Sequence, residues 1–243
     1  MSGTIVITGA SSGIGRVTAE LFANQGWMVG VIARRPEPLA EMAMASDNII
    51  VLPCDVTDPV AVDKVFKRFV NTTGRLDVLF NNAGMFGVVA PIDELPLETW
   101  YQVVNVNLHG MFLCARAAFG LMRKQDPQGG RIINNGSISA HVPREGSIAY
   151  TTTKHAITGM TKTLSLDGRP FDIACGQIDI GNARTPMVED LVTRTLAEGG
   201  TPPETMDVAH VSESVLHMAN MPLNANVQFM TVMATKMPYI GRG

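Results

Sequence analysis

The chain has 243 residues, 46% of them hydrophobic and 17% charged, the make-up of an ordinary globular protein with a large core. A formal net charge of −3 gives no reason to expect a nucleic-acid partner or attraction to an anionic membrane surface. No apolar run approaches the ~20 residues needed to span a bilayer, and the first residues lack a basic, apolar leader.

In chain order, TIVITG (4–9) reads as a strand, followed by a helical pattern from Ile14 to Gln25. MVGVIA (28–33) and NIIVLP (48–53) are the next strands, with a helix over Val60 to Val70 after them. DVLFNN (77–82) precedes a long helical pattern from Leu97 to Lys124, and RIINNG (131–136) precedes another from Ile148 to Leu166. DIACGQI (172–178), a helix near Glu204 to Met221 and the strand NVQFMTVM (226–233) close the chain. The strands are near-continuous apolar runs, as a parallel sheet covered on both faces requires. Strand–helix alternation of this kind predicts an α/β fold, a single doubly wound Rossmann-type domain over 1–243 with helices on both faces. GGTPP (199–203) is a loop inside it, and a substrate loop is expected at about 186–204.

TGASSGIG (8–15) follows the first strand and opens a helix. Gly9 suits a tight turn, while Gly13 and Gly15 let the backbone approach a pyrophosphate at the helix N-terminus. Gly9, Ser11, Ser12, Gly13, Ile14 and Gly15 are the cofactor contacts expected here, although the spacing is not G-x-G-x-x-G. The second strand ends Ala33-Arg34-Arg35, without the carboxylate that would hold the ribose 2′-hydroxyl of NAD. A guanidinium suits a 2′-phosphate, so Arg34 and Arg35 favour NADP(H); the alternative is a solvated arginine pair. Asp55, followed by Val56, ends the third strand, where it can accept from an adenine amino group or cap a helix. Asn81, Ala83 and Gly84 of NNAG end the fourth, as a low-bulk edge beside a cofactor; Asn81 has a structural role between strands as its rival.

Tyr150 and Lys154 of YTTTK lie one helical turn apart, on one face. An ammonium nearby lowers the pKa of a phenol, which is otherwise about 10. Ser137, ending the fifth strand, offers a hydroxyl to a carbonyl oxygen. Together these groups suit proton delivery to a carbonyl while a nicotinamide delivers hydride. Ser139 either assists or does not, and His155 reads as structural. His109, His141, His155, His210 and His217 show no metal-ligand spacing, so no metal is expected. Cys54, Cys114 and Cys175 are far apart and form no CxxC, which fits a reducing, cytoplasmic setting.

Taken together, TGxxxGxG at 8–15, NNAG at 81–84, Asn107 in NVNLHG, Ser137 and YxxxK at 150–154 resemble the short-chain dehydrogenase/reductase superfamily over essentially the whole chain. The resemblance implies that Asn107 is a fourth catalytic residue, kinking a long helix and holding a water in a proton relay through the lysine. It also implies that Gly181 belongs to the cofactor-binding loop, that Thr185 binds the nicotinamide carboxamide, and that the protein is a homodimer or homotetramer. Ile180 stands where the family usually has proline, and the ending TVMATKMPYIGRG departs from the usual Val-Asp-Gly-Gly segment. That ending is more similar to members acting on 3-hydroxy acids.

The expected activity is NADP-dependent interconversion of a ketone or aldehyde and an alcohol. A catalytically silent nucleotide-binding protein on the same fold is the rival. A sugar epimerase or dehydratase would need a separate substrate domain, for which the chain has no room. Arg184 and Arg194, near or within the expected substrate loop, suit an anionic substrate or simply a solvated face.

Overall fold

Seven apolar runs become seven parallel strands. A computed structural model describes residues 3–197 and 199–240, apart from the side chain of Arg194. The strands are β1 (Thr4–Thr8), β2 (Met28–Ala33), β3 (Ile49–Pro53), β4 (Val78–Asn81), β5 (Gly130–Asn135), β6 (Ile173–Ile180) and β7 (Phe229–Val232). They form one sheet in the order β3-β2-β1-β4-β5-β6-β7, each neighbour parallel. Both faces are covered, which is why the strands show no polar alternation. Ile5 and Ile7 face one core with Phe22, Val211 and Met218, while Val6 between them faces the other with Phe66, Phe69 and Met122.

The helices in chain order are α1 (Gly13–Asn24), α2 (Glu37–Ala45), α3 (Pro59–Thr73), α4 (Leu97–Val104), α5 (Met111–Met122), α6 (Ile148–Gly168), α7 (Pro186–Ala197) and α8 (Val208–Asn220). Local chemistry sets several ends. Asp58 accepts from the N–H groups of Val60 and Ala61 at the start of α3, and Gly74 ends it in the left-handed region at φ 84°. Asp207 caps α8 in the same way.

Three features differ from the sequence expectations. The pattern expected over 97–124 is helical as far as Met122, but six residues between α4 and α5, Asn105–Gly110, form a π-helical turn. Such turns occur where an extra residue is accommodated in a helix, often at functional sites. The expected substrate loop at 186–204 is helix α7 over its first twelve residues. Pro186 sits at its start, and no glycine or proline interrupts 187–197. Helix α2 was not foreseen; it buries only Leu39 and Met42, too short a repeat to register as a period.

Candidate functional site

The strand order reverses between β1 and β4, and open α/β sheets bind ligands at the C-terminal strand ends beside such a switch point. The glycine-rich turn after β1 lies there. Gly9 and Gly13 adopt φ 69° and 53°, which side-chain-bearing residues rarely do. A Cβ on Gly15 would overlap the carbonyl oxygen of Gly9. Ser12 precedes α1 without a side-chain capping bond, so the first turn of α1 presents backbone N–H groups outward. A bare backbone cradle at an uncapped helix start fits a pyrophosphate. Across from Gly13 stands Thr185: a Cβ on Gly13 would come within 3.2 Å of its methyl. A cleft of about 220 Å³ opens beside them, its lining including Ile14, Tyr150, Lys154, Gly181 and Met187.

The ends of β1, β2 and β3 are tied together by backbone bonds from Ala10 N–H to Ile32 O (3.1 Å) and from Cys54 N–H to Ala33 O (2.9 Å). Arg34 and Arg35 follow β2 directly, are exposed, and make no ion pair among the described residues. Asp55 does not cap a helix; Asp58 does. One Asp55 oxygen accepts from the N–H (2.9 Å) and hydroxyl (2.8 Å) of Thr57, closing a tight turn. Val56 is buried, and a Cβ on Gly110 of the π-helical turn would come within 2.7 Å of its methyl. Only its backbone can face a ligand.

NNAG divides into two functions. Asn81 is buried and donates to the Met111 carbonyl at 2.7 Å, the structural role weighed against cofactor contact. The Thr8 hydroxyl accepts from the N–H groups of Asn82 and Ala83, both at 2.9 Å, pinning the segment to β1. Gly84, next in the chain, is exposed at the cleft. Asn82, which the sequence reading passed over, donates to the Thr8 carbonyl (2.9 Å) and accepts from Asn135 Nδ2 (2.8 Å). The Asn135 carbonyl in turn accepts from Lys154 Nζ at 2.7 Å. A hydrogen-bonded chain thus runs from β1 through β4 and β5 to α6. Its sequence signal is the doubled asparagine ending two adjacent strands, 81–82 and 134–135.

Ser137, Tyr150 and Lys154 converge at the end of β5 and the start of α6. The Ser137 hydroxyl interacts with the Tyr150 phenol, favouring its ionised form, and accepts from Ser139 N–H at 3.1 Å. Ser139 therefore acts through its backbone, its residue being 1% exposed. Phe86 stacks on the Tyr150 ring at 4.8 Å between centroids. Lys154 Nζ lies 5.4 Å from that ring's centroid. Burial pushes the phenol's pKa above its usual value; the Ser137 bond and the Arg144 charge oppose this, and Asp179 adds to it. Burial also lowers the Lys154 ammonium to about 8, against the opposing charge of Asp179. His155 is exposed and bonds the Thr151 carbonyl within its own helix, apart from this group.

Asn107 is fully buried in the π-helical turn. It accepts from Met85 N–H and donates to the Met85 carbonyl, both at 2.8 Å, and reaches the Thr153 hydroxyl at 3.3 Å. It links the segment after NNAG to α6. Ile180 takes the place of proline without breaking the strand: it pairs with Val232, and Gly181 N–H donates to Val232 O at 2.8 Å. Arg184 is exposed, while the side chain of Arg194 lies outside the described residues.

A parallel sheet with a glycine-lined helix start at its switch point, facing a serine, a tyrosine and a lysine, is the arrangement of a Rossmann-fold oxidoreductase. A family model described as short chain dehydrogenase matches residues 3–195, and the chain belongs to that family. It is 34% identical over 211 residues to a 3beta-hydroxysteroid dehydrogenase of Mediterraneibacter gnavus, covering 82% of this chain and 75% of that one. The uncharacterized oxidoreductase YxjF of Bacillus subtilis is 36% identical over 189 residues, 76% of this chain and 72% of its own. Among solved structures, the closed form of serine dehydrogenase complexed with NADP+ superposes with a TM-score of 0.89 at 25% identity, covering 99% and 98% of the two chains. Among the described residues no helix is long and apolar enough to cross a membrane.

Proposed function

We propose that the protein is an NADP(H)-dependent oxidoreductase that interconverts a small ketone or aldehyde and the corresponding alcohol. The observation that carries this reading is the convergence of Ser137, Tyr150 and Lys154 on one cleft with the glycine-rich turn. The turn from Gly9 to Gly15 would hold the pyrophosphate, Asp55 and the backbone of Val56 the adenine side, and Ala83 and Gly84 the edge of the cofactor. Lys154 would address the ribose, and Gly181 and Thr185 the nicotinamide. Arg34, with Arg35 beside it, would grip a 2′-phosphate bidentately, since no carboxylate competes at the end of β2. The nicotinamide, when bound, supplies or takes the hydride.

The chain's own residues handle the proton. The Ser137 hydroxyl hydrogen-bonds the substrate oxygen and aligns it with the phenol. Tyr150 donates its proton to that oxygen in reduction and takes it back in oxidation. The phenol's raised pKa keeps it protonated near neutrality, the form reduction needs. The Lys154 ammonium favours the phenolate left behind, and Asn107 fixes the neighbouring backbone at Met85. The free, buried state of all three cysteines supports a cytoplasmic setting. The groove between α5 and α6, lined by both apolar and charged side chains, supports assembly with a second copy. A turnover screen of carbonyls and alcohols with NADPH and NADP+ tests the reading. Tight cofactor binding with no turnover of any compound would favour a silent nucleotide-binding protein.

A further inference from the structure

A second polar cluster lies beneath the cleft, and the chemistry above makes no use of it. Asp179 of β6 is 1% exposed. Its Oδ1 accepts from Ser137 N–H at 2.9 Å and from Gln177 Nε2 at 2.7 Å. Its Oδ2 lies 2.9 Å from Nε2 of His141, a side chain that reaches solvent. Gly136 makes room for the carboxylate, because a Cβ there would overlap Oδ1. Gln177 is held from behind by Thr161 and itself donates to Thr158 at 3.1 Å, both on α6. A carboxylate this deep is costly to bury, and one of its partners is the backbone N–H of Ser137 itself.

We propose that Asp179 is a positioning residue for the proton chemistry, holding Ser137 by its backbone N–H and setting a negative charge against the Lys154 ammonium. The inference rests on the reading of Ser137, Tyr150 and Lys154 given above. Removing the side chain's charge would leave Lys154 buried without its opposing charge, and the ammonium would release its proton more readily. The same change would ease ionisation of Tyr150, because the Asp179 charge disfavours a phenolate. Both midpoints move to lower pH.

The charges around the pair are few. Arg144, in the connection before α6, acts on Tyr150, and His141 acts through Asp179. β5 turns the neutral Asn135 to Lys154, and the segment after NNAG turns Phe86 to Tyr150. Against α6, helix α4 carries only Glu98, exposed and bonded to Gln102; the π-helical turn carries His109, near Phe112; and the turn at Arg169–Phe171 carries Arg169. None of these three acts on Tyr150 or Lys154.

The test is a lysine side-chain NMR titration of the full protein, with the Lys154 resonance assigned by Lys154→Arg. In Asp179→Asn the amide still accepts from Ser137 N–H but carries no charge. The Lys154 midpoint should fall by ~1 unit. Asp179→Ser, smaller and equally neutral, should give the same direction and covers the case in which Asp179→Asn does not fold. An unmoved midpoint in a folded neutral variant would overturn the proposal. The readout needs no turnover. A protein inactive on every carbonyl but showing the shift would therefore contradict the oxidoreductase reading and still support the electrostatic link.

Discussion

Asn135 and Lys154 are joined by a 2.7 Å hydrogen bond from the ammonium to the last carbonyl of β5. That bond fixes the lysine's reach, leaving its charge 5.4 Å from the centre of the Tyr150 ring. It also continues the asparagine link that begins at Thr8, so the glycine-rich turn and the proton-handling residues share one scaffold.

The first prediction concerns pH. Burial lowers Lys154 to about 8, so the group is cationic below that value and loses its charge as pH rises through it. Tyr150 is shifted the other way, upward, and stays protonated near neutrality. Carbonyl reduction should therefore hold level around neutrality and decline as pH rises through about 8. A pH profile of kcat with saturating NADPH checks this, and a rate still climbing well past that point would count against it.

The second concerns Asn107. Replacing it with alanine leaves both the N–H and the carbonyl of Met85 without partners in a partly buried place. The expected cost is about 2 kcal/mol of stability. Turnover should fall as well, because the bridge from the segment after NNAG to α6 is cut. Urea unfolding of Asn107→Ala beside the unmodified protein measures the first part. An unchanged midpoint would mean that the π-helical turn does not depend on this side chain.

Much of this was readable from residues close together in the chain. The seven strands followed from apolar run length, the turn from its glycines, and the Tyr150–Lys154 pair from helical spacing. Legibility stopped where partners are distant. The Asn82–Asn135 bond spans 53 residues and the His141–Asp179 contact 38, and no local pattern signals either. A helix cap was the alternative to an adenine contact for Asp55, which ends a strand before a helix, yet Asp58, next to Pro59, takes the capping place. The expected loop at 186–204 holds glycines and prolines at its far end, 199–203, while the stretch after Pro186 has none and is helical.

Cofactor preference is the third prediction. Arg34 is exposed at the end of β2, with no acid beside it. Arg34→Ala should weaken NADPH by ~10- to 100-fold and leave NADH nearly unchanged, the range for hydrogen bonds to a charged group. Fluorescence titration of both cofactors separates the cases. Equal affinity for NADH and NADPH in the unmodified protein would sink the assignment.

Assembly is the fourth. Helices α5 and α6 border a groove of about 1350 Å³ whose lining includes Phe112, Phe119, Met160, Leu164 and Leu166. Phe112 and Leu166 are about half exposed there, at 49% and 56%. Exposed apolar side chains here, set among charged ones such as Arg116, Lys124 and Asp167, are better covered than left in water. Two copies related by a two-fold axis would cover them symmetrically, giving a homodimer or homotetramer. Light scattering at micromolar concentration should report a multiple of the 26.1 kDa chain; a monomer would contradict this.

Removal of one oxygen is the most direct test of the account. Tyr150→Phe keeps the ring and its stacking on Phe86, so folding and NADPH affinity should be preserved. The proton donor is gone, so turnover of any accepted carbonyl should drop at least ~10²-fold, the lower end for general acid–base catalysis. Steady-state turnover measured beside NADPH titration distinguishes this from a loss of binding. Near-normal turnover in Tyr150→Phe would show that the phenol is not the acid, and the proposed chemistry would fall with it.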